Sequence, residues 1–183
     1  AGERSYMRGS FRTAHVLTPK VGIKLSGEYL TAKDFEYHDP GEPDSLTRGG
    51  VRVGKDRDFD IEKFNGEARL DLRPRDGLEL ISTAGMSQIG SALELTGANG
   101  AAQVKNWRFM NLQQRLTWNR LFLQAFVNSS DAGNKNPNDL TGTFLLRTGQ
   151  PIVDQSQVVS VQAQHGYDVG TKYKFTYGAD YIF

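Results

Sequence analysis

The stretch Val158-Val-Ser-Val-Gln-Ala-Gln-His-Gly-Tyr167, then Asp-Val-Gly-Thr, then Lys172-Tyr-Lys-Phe-Thr-Tyr-Gly-Ala-Asp-Tyr-Ile-Phe183, decides the fold. Two alternating runs flank a tight polar turn, the pattern of a long β-hairpin. In the second run Tyr173, Phe175, Tyr177, Ala179, Tyr181 and Phe183 share one face; Lys174, Thr176, Gly178 and Asp180 share the other. Successive strand side chains point to opposite faces, so this hairpin has one apolar and one polar side.

The same alternation recurs toward the N-terminus. Val21, Ile23, Leu25, Gly27 and Tyr29 oppose Gly22, Lys24, Ser26 and Glu28. Phe64, Gly66, Ala68, Leu70 and Leu72 oppose Asn65, Glu67, Arg69, Asp71 and Arg73. Leu78, Leu80, Ala84 and Met86 continue it, as do Met110, Leu112, Leu116 and Trp118, then Leu121, Leu123, Ala125 and Val127. A weaker strand is expected from Tyr6 to Val16, before a turn at Thr18-Pro19-Lys20. Connections near Thr18–Lys20, Pro74–Gly77, Asn119–Arg120 and Asp168–Thr171 are tight. Those near Asp34–Asp60, Gly90–Lys105 and Asp131–Gln155 read as long and are rich in Gly, Asn, Asp and Pro. This parity predicts an all-β, antiparallel up-and-down meander of about eight strands, with tight turns at one end and long loops at the other, as in a transmembrane β-barrel segment.

Composition fits that class without selecting it. The chain has 38% hydrophobic and 23% charged residues, and its mean hydropathy is −0.51. A barrel with a polar lumen and a lipid-facing wall shares these averages with a soluble domain. No run reaches the roughly 18 apolar residues of a membrane helix. A net charge of +1 argues against nucleic acid as a partner. With no Cys, the redox compartment stays open. The chain begins at Ala1 without a signal-like segment, so a leader is expected to be removed or to lie upstream. About eleven residues at roughly 3.3 Å each, tilted by about 45°, cross some 25 Å, the height of an outer-membrane apolar band. Tyr29, Trp107, Trp118, Tyr167, Tyr173 and Phe183 lie at strand ends, where interfacial aromatic girdles occur.

The segments Val21-Gly-Ile-Lys-Leu-Ser-Gly-Glu-Tyr29, Glu67-Ala-Arg-Leu-Asp71, Leu145-Leu-Arg-Thr-Gly149, Gln162-Ala-Gln-His165 and Tyr177-Gly-Ala-Asp180 resemble the barrel of TonB-dependent outer-membrane receptors of the carboxypeptidase-regulatory-like type. Such receptors close about 22 strands around an N-terminal plug and import solutes with energy relayed from the inner membrane. The resemblance implies part of a bacterial outer-membrane barrel whose plug and energy-coupling box are not in this sequence. Its implied partners are outer-membrane lipid, the rest of its own barrel and plug, an unknown solute, and TonB only through the missing plug. The ending Thr176-Tyr-Gly-Ala-Asp-Tyr-Ile-Phe183 also resembles the C-terminal signal read by barrel-assembly machinery. It keeps open a complete eight-stranded outer-membrane barrel with a structural or adhesive role. A soluble lipocalin-like ligand-binding barrel is a further alternative.

No cofactor, metal or catalytic residue is expected. Asp56, Asp58, Asp60 and Glu67 have the spacing of a calcium loop, but Ile61 stands where the loop needs a sharply bending Gly. Gly97-Ala-Asn-Gly-Ala-Ala102 lacks the Lys and Ser/Thr of a phosphate loop and reads as a mobile turn. His15, His38 and His165 show no ligand spacing, and His165 falls on the apolar set near a strand end. Asn128-Ser-Ser130 fits a glycosylation acceptor, a pattern common by chance. No nucleophile elbow is present. The candidate functional surface is the polar face: Lys24, Glu28, Glu67, Arg69, Asp71, Arg73, Gln113, Arg115, Gln124, Gln162, Gln164, Lys174 and Asp180 are predicted to face a lumen. The loops His38–Asp44 and Asn134–Asn138 are where a solute would first be met.

Overall fold

The structure, a computed structural model, describes residues 2–38, 45–48, 51–95, 100–136 and 141–183. For 45–48 and 51–56 only the backbone is described. Eleven strands follow one another: β1 (Met7–Thr18), β2 (Val21–Lys33), β3 (Ser45–Arg48), β4 (Val51–Asp56), β5 (Asp60–Arg75), β6 (Leu78–Leu95), β7 (Ala101–Trp118), β8 (Leu121–Ala132), β9 (Phe144–Leu145), β10 (Asp154–Val169) and β11 (Tyr173–Ile182).

Nine strands form one antiparallel sheet in the order β1-β2-β5-β6-β7-β8-β10-β11, with β9 added to β7. β3 and β4 make a separate hairpin inside the β2–β5 connection. Strands adjacent in the meander are adjacent in the sheet, the economical outcome of short antiparallel connections. Among the described residues no ladder joins β1 to β11, so the sheet is open. The eight-strand meander and its N-terminal strand agree with the sequence.

All four tight turns lie at one end. Gly77 (φ 71°) and Gly170 (φ 61°) supply the left-handed backbone of two of them, and Asn119 (φ 50°) that of a third.

One connection differs from the expectation. Gly90–Lys105 is not a long loop: β6 runs on to Leu95 and β7 starts at Ala101, paired from Leu95↔Ala101 onward. Ala101 and Ala102 are therefore buried strand residues, not a mobile turn; 96–99 lie outside the described residues. Small residues suit this stretch because β9 and its flanks pack onto it: Ala101 clusters with Phe144 and Leu146. This is the only compact apolar core cluster among the described residues, and it sits at the end opposite the tight turns.

Candidate functional site

The ladders decide which side chains share a face, because directly paired residues point the same way. Starting from Lys24, the register runs Lys24↔Arg69 and Gly22↔Asp71, then Asp71↔Ile81 and Ile81↔Arg115. It continues Arg115↔Gln124, Gln124↔Gln162 and Gln162↔Asp180. Glu28, Glu67, Arg73, Gln113, Gln164 and Lys174 fall on the same side by alternation. All thirteen sequence-selected residues therefore occupy one face of the sheet.

In the middle strands that face is the more shielded one, while Lys174 and Asp180 on the edge strand β11 are exposed. Along β7, Gln113, Arg115 and Thr117 are half-buried while Leu112 and Trp118 on the other side are exposed. Along β8, Phe122, Gln124 and Phe126 are half-buried while Leu123 and Ala125 are exposed. Large apolar side chains open to the surroundings include Phe11 (62%), Leu112 (57%), Tyr177 (62%) and Tyr181 (65%). A hollow of about 780 Å³ is lined mainly by polar-face residues of six neighbouring strands, among them Arg12, Glu28, Asn65, Ser87, Asn111 and Asn128, and a smaller one of about 450 Å³ opens on the apolar face over Leu25, Phe64, Ala68 and Ala84. The polar-face hollow is the broader of the two, spanning β1 to β8 where the apolar-face one spans β1 to β6, and this breadth makes the polar face the concave side of the sheet.

The polar face has two electrostatic halves. From β1 to β6 four ion pairs join neighbours, Arg8–Glu28 at 2.6 Å, Lys24–Glu67 at 2.7 Å, Arg69–Asp71 at 2.7 Å and Arg73–Glu79 at 2.7 Å, with Arg12 and Lys63 outside them. From β7 to β11, Gln113, Arg115, Gln124, Gln162, Gln164, Lys174 and Asp180 make no side-chain hydrogen bond or ion pair among the described residues. This half is a wettable row of amides with few charges.

The ladder moves one expected girdle residue. Trp107 pairs with Ile89 on the polar face, apart from Tyr29, Trp118, Tyr167, Tyr173 and Phe183 on the apolar face. Its indole N–H donates to Ser130 Oγ at 2.8 Å, and that hydroxyl donates to Asp154 Oδ2 at 2.6 Å. Phe109 stacks on it with ring centroids 5.5 Å apart. Strand-end position alone had suggested the interface; strand parity, counted from Arg115, was the signal that places it inside. The same parity finds Ser10 and Arg12 of β1 and Phe122 and Phe126 of β8 on this face, none of which the sequence reading had selected.

At the loop end, Gln103 is fully buried. Its Oε1 accepts from the Asp58 backbone N–H at 2.7 Å, and its Nε2 donates to Ser91 Oγ at 3.2 Å and Ala92 O at 3.0 Å. Lys105 pairs with Asp58 at 3.5 Å, and the Thr143 hydroxyl accepts from the Lys105 N–H at 3.1 Å. Two connections, those of Asp58 and Thr143, are thereby fastened to the β6–β7 extension. Burial pushes the Asp58 carboxyl up, but the Asp60 N–H, the Ser91 hydroxyl and the Lys105 ammonium outweigh it and hold the group below its ordinary value.

The calcium-like spacing is spread between uses: Asp58 serves this fastening, while Glu67 accepts from Lys24 Nζ on the sheet. The Asp56 side chain lies outside the described residues. Among the described residues no three His, Asp or Glu side chains cluster as a metal site. His165 accompanies Tyr177 on the apolar face, 2.8 Å from its hydroxyl. Of the two loops expected to meet solute, 39–44 and 137–140 lie outside the described residues.

No family model, curated protein or solved structure matches the chain. The geometry of the sheet therefore carries the functional reading.

Proposed function

We propose that the chain is a stretch of outer-membrane β-barrel wall, of the kind found in TonB-dependent receptors, and that it contributes wall and loops to uptake of a solute. The observation that carries this reading is the inverted sheet: large apolar side chains are exposed on the convex side, and the charged and amide side chains gather on the concave side around its hollow. In water such a convex face is a large aggregation-prone patch, whereas against hydrocarbon it is the stable arrangement. A lipocalin-like carrier needs the opposite facing, with apolar side chains around its cavity. A closed eight-stranded barrel needs a β1–β11 ladder, and β1 and β11 are instead the two edges. In a larger barrel those edges meet further strands. Lipid is then the partner of the convex face, and plug or water that of the concave face. TonB is reached only through a plug.

The test is the solvent the folded chain requires. Purified chain is expected to be monodisperse and β-rich in detergent or bilayers and to aggregate on detergent removal. A monodisperse monomer in plain buffer with this same sheet would overturn the reading.

A further inference from the structure

The tight-turn end carries charge that the concave wall does not use. Each of its four connections has a cation in it or at its edge, Lys20, Arg75, Arg120 and Lys172, against the two carboxylates Asp76 and Asp168. Arg120 is paired with Asp168. Among the described residues Lys20, Arg75 and Lys172 have no carboxylate partner.

Arg75 is placed by an irregularity. By simple alternation it belongs with Arg73 on the polar face, but the register slips between Leu72↔Leu80 and Arg75↔Leu78. A bulge of this kind re-aims a side chain. Arg75 thus stands opposite Leu78 on the apolar face, with its guanidinium 4.8 Å from the Trp118 ring centroid. Lys20 Nζ donates to Pro74 O at 2.9 Å, bringing a second cation to the same turn. Both border one hollow of about 640 Å³, whose polar-face side is closed by the Arg73–Glu79 pair and whose lining also includes Asp76.

We propose that this rim binds the phosphate groups of anionic phospholipid in the leaflet that meets the tight turns. The inference rests on the membrane reading above. An apolar-face indole at the end of a strand sits at headgroup depth. A guanidinium above it presents a planar fork that matches two phosphate oxygens, and Lys20 adds a compact charge beside it. A zwitterionic headgroup brings its own cation and gains less from the same rim.

The chain has two tryptophans, and Trp107 lies on the polar face, so Trp107→Phe, or Trp107→Tyr where Phe unfolds the chain, leaves Trp118 as the only indole reporter. This variant is placed in detergent micelles containing brominated phosphatidylglycerol or brominated phosphatidylcholine at equal mole fraction. Phosphatidylglycerol is expected to quench Trp118 about twofold more steeply. Lys20→Gln with Arg75→Gln should equalise the two lipids, and Arg115→Gln on the concave face should leave the preference intact. Excess inorganic phosphate should not remove it. Equal quenching by both lipids overturns the rim but leaves the membrane reading standing. Quenching by neither overturns both. Loss of preference with Arg115→Gln, or with inorganic phosphate, also overturns the proposal, since either makes the rim a general charge or free-phosphate effect.

Discussion

Replacing Val161 by Arg is the sharpest perturbation of the facing. Val161 is at the middle of β10, Asp154–Val169, pairs with Ala125 and Tyr181, and is 46% exposed on the apolar face. If that face meets lipid, mid-strand is mid-membrane, where Arg costs about 2–4 kcal/mol. At roughly 1.4 kcal/mol per tenfold, the folding equilibrium falls by about 30- to 1,000-fold. The adjacent Gln162 points to the other face, between Gln124 and Asp180, so Gln162→Arg meets water and a carboxylate and should stay within about 0.5 kcal/mol. In plain water Val161→Arg would also be a surface change of about 0.5 kcal/mol or less. The contrast between neighbours therefore reports the solvent of each face. The assay is folding into lipid vesicles, followed by protease protection across a urea series. Equal midpoint shifts for the two variants would refute the assigned facing.

Other outcomes follow from the same geometry. The chain has no Cys, so single cysteines report water access directly: in bilayers Asn65→Cys should react with a charged maleimide, while Leu70→Cys should be protected at least about tenfold, since the unreactive thiol is the one withdrawn from water. Gln103→Leu leaves the Asp58 N–H and Ala92 carbonyl without their side-chain partner, at a cost of about 1–3 kcal/mol, and hydrogen exchange should rise around Ser91 and Lys105 but not along β10. Because folding holds the Asp58 carboxyl below its ordinary 3.8, its stabilising contribution is complete above that pH and is lost as pH falls through the lower folded value. Asp58→Asn should remove that acid-induced rise in exchange at the loop end, and persistence of the rise would exclude Asp58 as its source.

The strands and their faces were legible because alternation is a local property: Tyr173 to Phe183 reveal their two sides without knowledge of any neighbour. Register, by contrast, is set between strands, and the bulge that turns Arg75 outward leaves no mark in alternation. The extension of β6 and β7 was hidden by Gly90, Ala101 and Ala102, residues of low strand propensity, of which Ala101 packs against Phe144 and Leu146. Gln103, inside the stretch read as a loop, drew no reading of its own because nothing local announces that Asp58, Ser91 and Ala92 converge on it. Trp107 was misplaced because its distance from the strand end was weighed ahead of its parity with Arg115.

The ion pairs bear on how wide a lumen this wall encloses. In a closed eight-stranded barrel the interior is barely wide enough for side chains, so inward charges find partners across the lumen. Here the four pairs of the concave face lie within β5 or between adjacent strands: β1 with β2, β2 with β5, β5 with β6. Among the described residues of the amide-rich half from β7 to β11 only Arg115 reaches a charge of the ionic half, Asp71 along the same wall, and the hollow over β1 to β8 holds about 780 Å³. Charges neutralised along the wall need nothing opposite them, which leaves the face compatible with water or a folded plug in a wide barrel. A wall built to fill a small lumen would have carried its compensating charges on the facing strands, and Arg115 and Lys174 would have met Glu28 or Glu67.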